Sequence, residues 1–161
     1  MHLPEDPVIF LDQGIPVGTV WSVVLEDALK NSKILVPVWS PKFFRSPWCM
    51  AEWESFELRK AALPACKTPL VYPVKFADGT HFPPAAQNVQ CRDLSPWGRT
   101  GLAFDQSLDF LDFQEEMDKI AQDLAVHLVD RNFPEHDPTW MVKQPSTAAT
   151  ASLASIALPR M

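Results

Sequence analysis

The densest group of side chains able to do chemistry lies in Ser46-Pro47-Trp48-Cys49-Met50-Ala51-Glu52-Trp53-Glu54-Ser55-Phe56. Ser46-Pro47 predicts a helix start, with serine as the cap and proline at the first helical position, where its missing N–H costs nothing. On that helix Glu52 stands one turn from Trp48 and beside Ser55 and Phe56. A carboxylate flanked by aromatic rings can accept hydrogen bonds from sugar hydroxyls or stabilise a developing oxocarbenium ion, while an indole stacks on a flat ring. The same residues also fit a plainer arrangement, with Glu52 and Glu54 solvated and Trp48 and Trp53 packed, and composition alone favours it. Cys49 sits near the helix N-terminus, where the dipole favours a thiolate. With no partner base in the pattern, it reads as a packed thiol.

Other chemistries lack their residues. Ser32, Ser40, Ser46 and Ser55 have no GxSxG context, and no glycine fingerprint or phosphate loop for a nucleotide is present. Cys49, Cys66 and Cys91 are odd in number with no close pair, so neither a disulfide framework nor a zinc spacing can be built from them. His2, His81, His127 and His136 are scattered, and no metal is expected. Lys and Arg number 14 against 20 Asp and Glu, a net charge of −6. No basic stripe appears, which argues against nucleic acid as a partner.

The opening residues MHLPEDP carry no basic segment followed by an apolar run. The longest apolar stretches fall well short of the roughly 18 residues that a membrane span needs. The expectation is a reduced, soluble, cytoplasmic protein with no membrane partner. A length of 161 residues suits one ordinary domain, and 47% hydrophobic residues exclude a wholly disordered chain.

The elements that must position the Glu52 cluster alternate between strand-like and helix-like patterns. Val8-Ile9-Phe10-Leu11 is a short apolar run that predicts a strand buried on both faces. Gln13-Gly14-Ile15-Pro16-Val17-Gly18 reads as a loop. From Thr19 to Asn31, Trp21, Val24, Leu25, Ala28 and Leu29 recur at helical spacing, with Thr19 as a cap. Ile34–Trp39 predicts a second strand, broken or unpaired at Pro37. The helix opened by Ser46-Pro47 should run to about Ala62 and stop before Pro64. Pro69–Val74 predicts a third strand and Cys91–Leu94 a short fourth, inside a loop-rich region over residues 76–105. Phe113, Met117, Ile120, Leu124 and Leu128 then share one face of a helix ending near Asn132. The domain is expected over residues 1–132, and residues 133–161, rich in Pro, Ser and Ala, are expected to be an unstructured tail. Strands separated by single helices imply a parallel sheet with right-handed crossovers and helices on both faces, in the flavodoxin-like manner.

The ordered set Phe10-Leu11-Asp12, Ile15, Gly18, Trp21, Leu25, Ala28-Leu29, Ser32, Ser40-Pro41 and Ser46 with Trp48-Cys49 and Glu52 resembles a Toll/interleukin receptor (TIR) domain, of the bacterial and plant-like kind. The strongest match is S-x-W-C-x-x-E at Ser46, Trp48, Cys49 and Glu52. The resemblance covers about residues 8 to 75 well, and residues 76 to 132 as a continuation. It implies that Gln13, Gly14, Ile15, Pro16, Val17 and Gly18 form the interaction loop through which such domains assemble with one another. Glu52 is similar to the glutamate that catalytic members use to break the nicotinamide–ribose bond of NAD+. Trp48, one turn before it, would shape the nicotinamide-ribose pocket. Trp21 matches a frequent family residue and is a candidate substrate contact, although its position on the helix also suits the core. NAD+ is then substrate, and no cofactor is implied.

Family members begin with a strand and a helix for which this chain shows no counterpart before Val8, so the resemblance implies a fold that is N-terminally incomplete. In the order 2-1-3-4-5 that first strand lies between the second and third. Without it, Val8–Leu11 and Ile34–Trp39 would each present unpaired N–H and C=O groups. A truncated gene product, a strand borrowed from a partner or second copy, or direct pairing of the two orphan edges would each account for this. The resemblance leaves two functions open: cleavage of NAD+ in signalling or defence, or non-catalytic assembly through the Gln13–Gly18 loop.

Overall fold

The computed structural model describes residues 8–11, 21–77, 79–98, 104–129 and 139–145. Two serine–proline steps organise its first half. The elements run in the order α1 (Trp21–Asn31), β1 (Val38–Trp39), α2 (Pro41–Arg45) and α3 (Pro47–Ala62), and the Ser40 side chain caps the short α2 by accepting a hydrogen bond from Phe43 N at 3.3 Å. Ser46 does the same for α3, accepting from Cys49 N at 3.3 Å with Pro47 in the first turn. The helix ends at Ala62, ahead of Pro64, as its sequence implies. The short α2 was not expected. Its signal was the same Ser-Pro step, which here opens a helix of only five residues, Pro41 included.

Beyond α3 come β2 (Val74–Lys75), α4 (Pro84–Gln87), β3 (Arg92–Asp93) and α5 (Leu108–Leu128). The three strands form a parallel sheet in the order β1-β2-β3, with Val38 opposite Val74 and Val74 opposite Arg92. Proline explains why the strands are short. Leu35 bridges Val71, but the next rung is missing because Pro37 has no N–H to donate. Its carbonyl still accepts from Val74 N at 3.0 Å, and the carbonyl of Pro73 accepts from Arg92 N at the same distance. The expected strands over Ile34–Trp39, Pro69–Val74 and Cys91–Leu94 are therefore present as interrupted or shortened ladders.

Helices cover both faces, which makes this a flavodoxin-like α/β sheet. On one face Leu25 and Leu29 of α1 and Trp53 and Phe56 of α3 close over Trp39, Leu70 and Val71. Trp39 is completely buried and meets Phe44, Trp53 and Phe82 with ring centroids 5.4–6.2 Å apart. Such pairs each add roughly 0.5–1.5 kcal/mol beyond the area they bury. On the other face Ile120 of α5 packs with Tyr72, Val74 and Leu94, flanked by Phe113 and Leu124. α5 thus uses the apolar stripe read from the sequence, but it ends at Leu128 rather than near Asn132.

Two expectations are corrected. Val8–Leu11 is not a strand: its side chains are exposed, Val8 at 97% and Ile9 at 78%. No strand among the described residues runs beside it to complete its hydrogen bonds, and direct pairing with β1 does not occur. The second correction concerns the tail. Thr139–Pro145 falls within the stretch expected to be unstructured, yet Trp140 and Val142 pack against the α1/α3 core. The cause is an aromatic anchor, since the Trp140 ring lies 5.3 Å from that of Phe56. The Thr19 cap and residues 133–138 and 146–161 lie outside the described residues.

Candidate functional site

α1 and α3 each contribute one stripe of residues to a shared cleft. Ser22, Leu25, Glu26 and Leu29 recur at i, i+3, i+4 and i+7 on α1, and Trp48, Ala51 and Glu52 recur at i, i+3 and i+4 on α3. Together they line one cleft, so Trp48 and Glu52 are brought to the same wall, one turn apart. Both are half-buried. The floor is apolar, made by the buried Leu25, Leu29 and Ala51. A carboxylate and an indole above an apolar floor can hold a flat ring against the indole while the carboxylate addresses a neighbouring sugar.

The site also contains residues that the sequence pattern did not single out. Glu26 of α1 stands at the cleft rim. Its carboxylate pairs with Lys30 at 2.7 Å and accepts from Gln144 Nε2 at 3.1 Å. The hydrogen bond and charge of Lys30 hold the Glu26 carboxyl below its usual range. Val142, Lys143 and Gln144 close the third side of the cleft, although they lie 88 or more positions from the α3 residues they approach. No local sequence signal announces such a distant contact.

The space left between these walls is about 10 Å³. That is room for roughly one water molecule. A larger open depression of about 420 Å³ lies at the far end of α3, but its polar side chains are only Glu57, Lys60 and Cys66.

The remaining candidates are less completely described. Trp21 is the first residue of α1, and only its backbone is described. The proposed interaction loop Gln13–Gly18 lies outside the described residues. Among the described residues no group of three or more His, Cys, Asp or Glu side chains is gathered as a metal would require. No described helix is long and apolar enough to cross a membrane. Burial, helped by the charge of Asp93, pushes the Cys91 thiol pKa up against the pull of Lys75, which disfavours the thiolate.

A three-stranded parallel sheet with helices packed on both faces defines an α/β domain of the flavodoxin-like class. The chain belongs to the TIR domain family, whose model matches residues 5–108. That span holds the whole sheet and both walls of the cleft, while nearly all of α5 follows it. Neither the curated proteins nor the solved structures compared with the chain give a match. TIR domains act in signal transduction and generally interact with other TIR domains.

Proposed function

We propose that this TIR domain is an NAD+ hydrolase of signalling or defence, acting in the cytoplasm with Glu52 as its working carboxylate. The observation that supports this best is that Trp48 and Glu52 share one wall of a single cleft, in the helix that carries the S-x-W-C-x-x-E motif. In the reaction the bond between ribose C1′ and the nicotinamide nitrogen breaks, and nicotinamide leaves with the electron pair. Positive charge develops on the ribose, where a carboxylate stabilises it. Water then adds at C1′ and releases a proton, giving ADP-ribose; attack by the substrate's own adenine gives a cyclic product instead. Trp48 offers a surface for the nicotinamide ring, and Trp21 at the start of α1 is a second candidate contact. NAD+ is the substrate, and the mechanism calls for no cofactor.

The test is NAD+ consumption with chromatography of the products, comparing the wild-type chain with Glu52→Gln. Loss of NAD+ in the wild type alone supports the assignment. Equal turnover by both rejects Glu52.

The narrowness of the cleft favours a second reading, a non-catalytic module that assembles with other TIR domains through Gln13–Gly18. Concentration-dependent assembly without NAD+ turnover, abolished by changes in that loop, would select it.

A further inference from the structure

We infer that Trp140–Gln144 is an autoinhibitory strap, which closes the Glu52 cleft when docked and opens it when released. The inference rests on the reading of this cleft as the NAD+ site. A dinucleotide needs a pocket of several hundred Å³, whereas the docked segment leaves about 10 Å³. The strap is fastened to both walls. Toward α3, Lys143 N donates to Ser55 Oγ at 2.7 Å and its ammonium pairs with Glu54. Toward α1, Gln144 Nε2 donates to Glu26 and Trp140 Nε1 donates to Lys30 O at 3.2 Å. The Trp140 ring meets that of Phe56 edge-on, and the guanidinium of Arg59 lies over both rings, 5.0 Å from the centroid of Trp140.

These fastenings suit a contact that can open. The Lys143–Glu54 and Gln144–Glu26 contacts are solvent-exposed, and exposed polar pairs hold weakly. The apolar hold comes mainly from one half-buried indole and Val142. Met141 between them points to solvent, 86% exposed. Anything that competes for this short segment, such as another protein surface, would uncover Trp48 and Glu52 without unfolding the domain.

The experiment uses the full chain carrying Ser22→Cys as a reporter on the cleft wall, with Lys143→Glu, and with the charge-swapped pair Glu54→Lys and Lys143→Glu. Three quantities are read: amide exchange over 139–145, alkylation of the cysteine at position 22 mapped by mass, and NAD+ cleavage. Reversing one exposed charge should raise all three by roughly two- to tenfold, and the swapped pair should restore them. Faster exchange with unchanged alkylation overturns the strap, because the segment would then not cover the cleft. Faster alkylation with unchanged cleavage by a wild-type enzyme that does turn over NAD+ overturns inhibition. Faster alkylation with no NAD+ cleavage by any form establishes the cover and rejects the enzyme reading instead. If neither Lys143→Glu nor Trp140→Ala accelerates exchange, the segment is a fixed part of the domain and the inference fails.

Discussion

The Tyr72 hydroxyl donates to Asp123 Oδ2 at 3.0 Å, joining the sheet to α5 across 51 positions of sequence. Arg92 completes the junction. Its Nε donates to the same hydroxyl at 2.9 Å, and its guanidinium pairs with Asp123 and, at 3.7 Å, with Glu116. α5, which lies almost wholly outside the family match, is thus bound to the family core by a polar cluster of Tyr72, Arg92, Glu116 and Asp123 as well as by the Ile120 contact. Tyr72→Phe keeps the ring and removes both hydrogen bonds. It should cost about 0.5–1.5 kcal/mol per bond lost, seen as a lower denaturation midpoint with an unchanged slope.

Ser46 caps the helix that carries Trp48 and Glu52 in its first two turns. Ser46→Ala should lower stability by about 1 kcal/mol, measured by thermal melting. The loss is concentrated at the helix start, so any NAD+ turnover should fall by more than global unfolding explains.

Gly98 makes a different demand. A Cβ there would meet the carbonyl oxygen of Phe76 at 2.3 Å and that of Ser95 at 3.3 Å. The nearest obstacle is backbone, which cannot rotate away as a side chain would. Gly98→Ala should therefore destabilise the domain by roughly 1–3 kcal/mol, readable in chemical denaturation.

Acid should act on the sheet through Asp93. Burial raises its carboxyl pKa, but the bonds from Lys75 and from the hydroxyl and amide of Ser95 together outweigh burial and hold it below its ordinary 3.8. A carboxylate with a lowered folded-state pKa stabilises the fold above its unfolded value, and that contribution is lost as pH falls through the folded value. Melting curves should therefore show Asp93→Asn less stable than wild type above pH 3.8, with the gap closing at lower pH. A constant gap would mean that Asp93 contributes through packing alone.

Local patterns carried much of this architecture. Ser46-Pro47 and Pro64 bracket α3, and the stripe from Phe113 to Leu128 identifies the core face of α5, because capping and helical periodicity act within a few residues. The cluster of Trp48 and Glu52 was legible for the same reason, since one helix holds both. Glu26 was not, because its place in the cleft with Trp48 and Glu52 depends on α3, which only tertiary packing brings alongside. Trp140 was hidden in a segment of low-complexity character, where a single indole outweighs its neighbours once Phe56 and Arg59 are within reach. Val8–Leu11 had the composition of a buried strand, but composition does not supply the neighbouring strand that its hydrogen bonds require.

The outer side of β1 has a practical consequence. The main-chain groups of Leu35, Pro37 and Trp39 turn toward β2, so alternation sends those of Val36 and Val38 the other way, and among the described residues no strand lies there. Both valine side chains are largely exposed, at 41% and 55%. Such an edge is a template for any extended chain, and encounters between copies rise with the square of concentration. Dilution series thus become part of defining this protein: a specific activity or melting temperature describes it only together with the concentration at which it was taken.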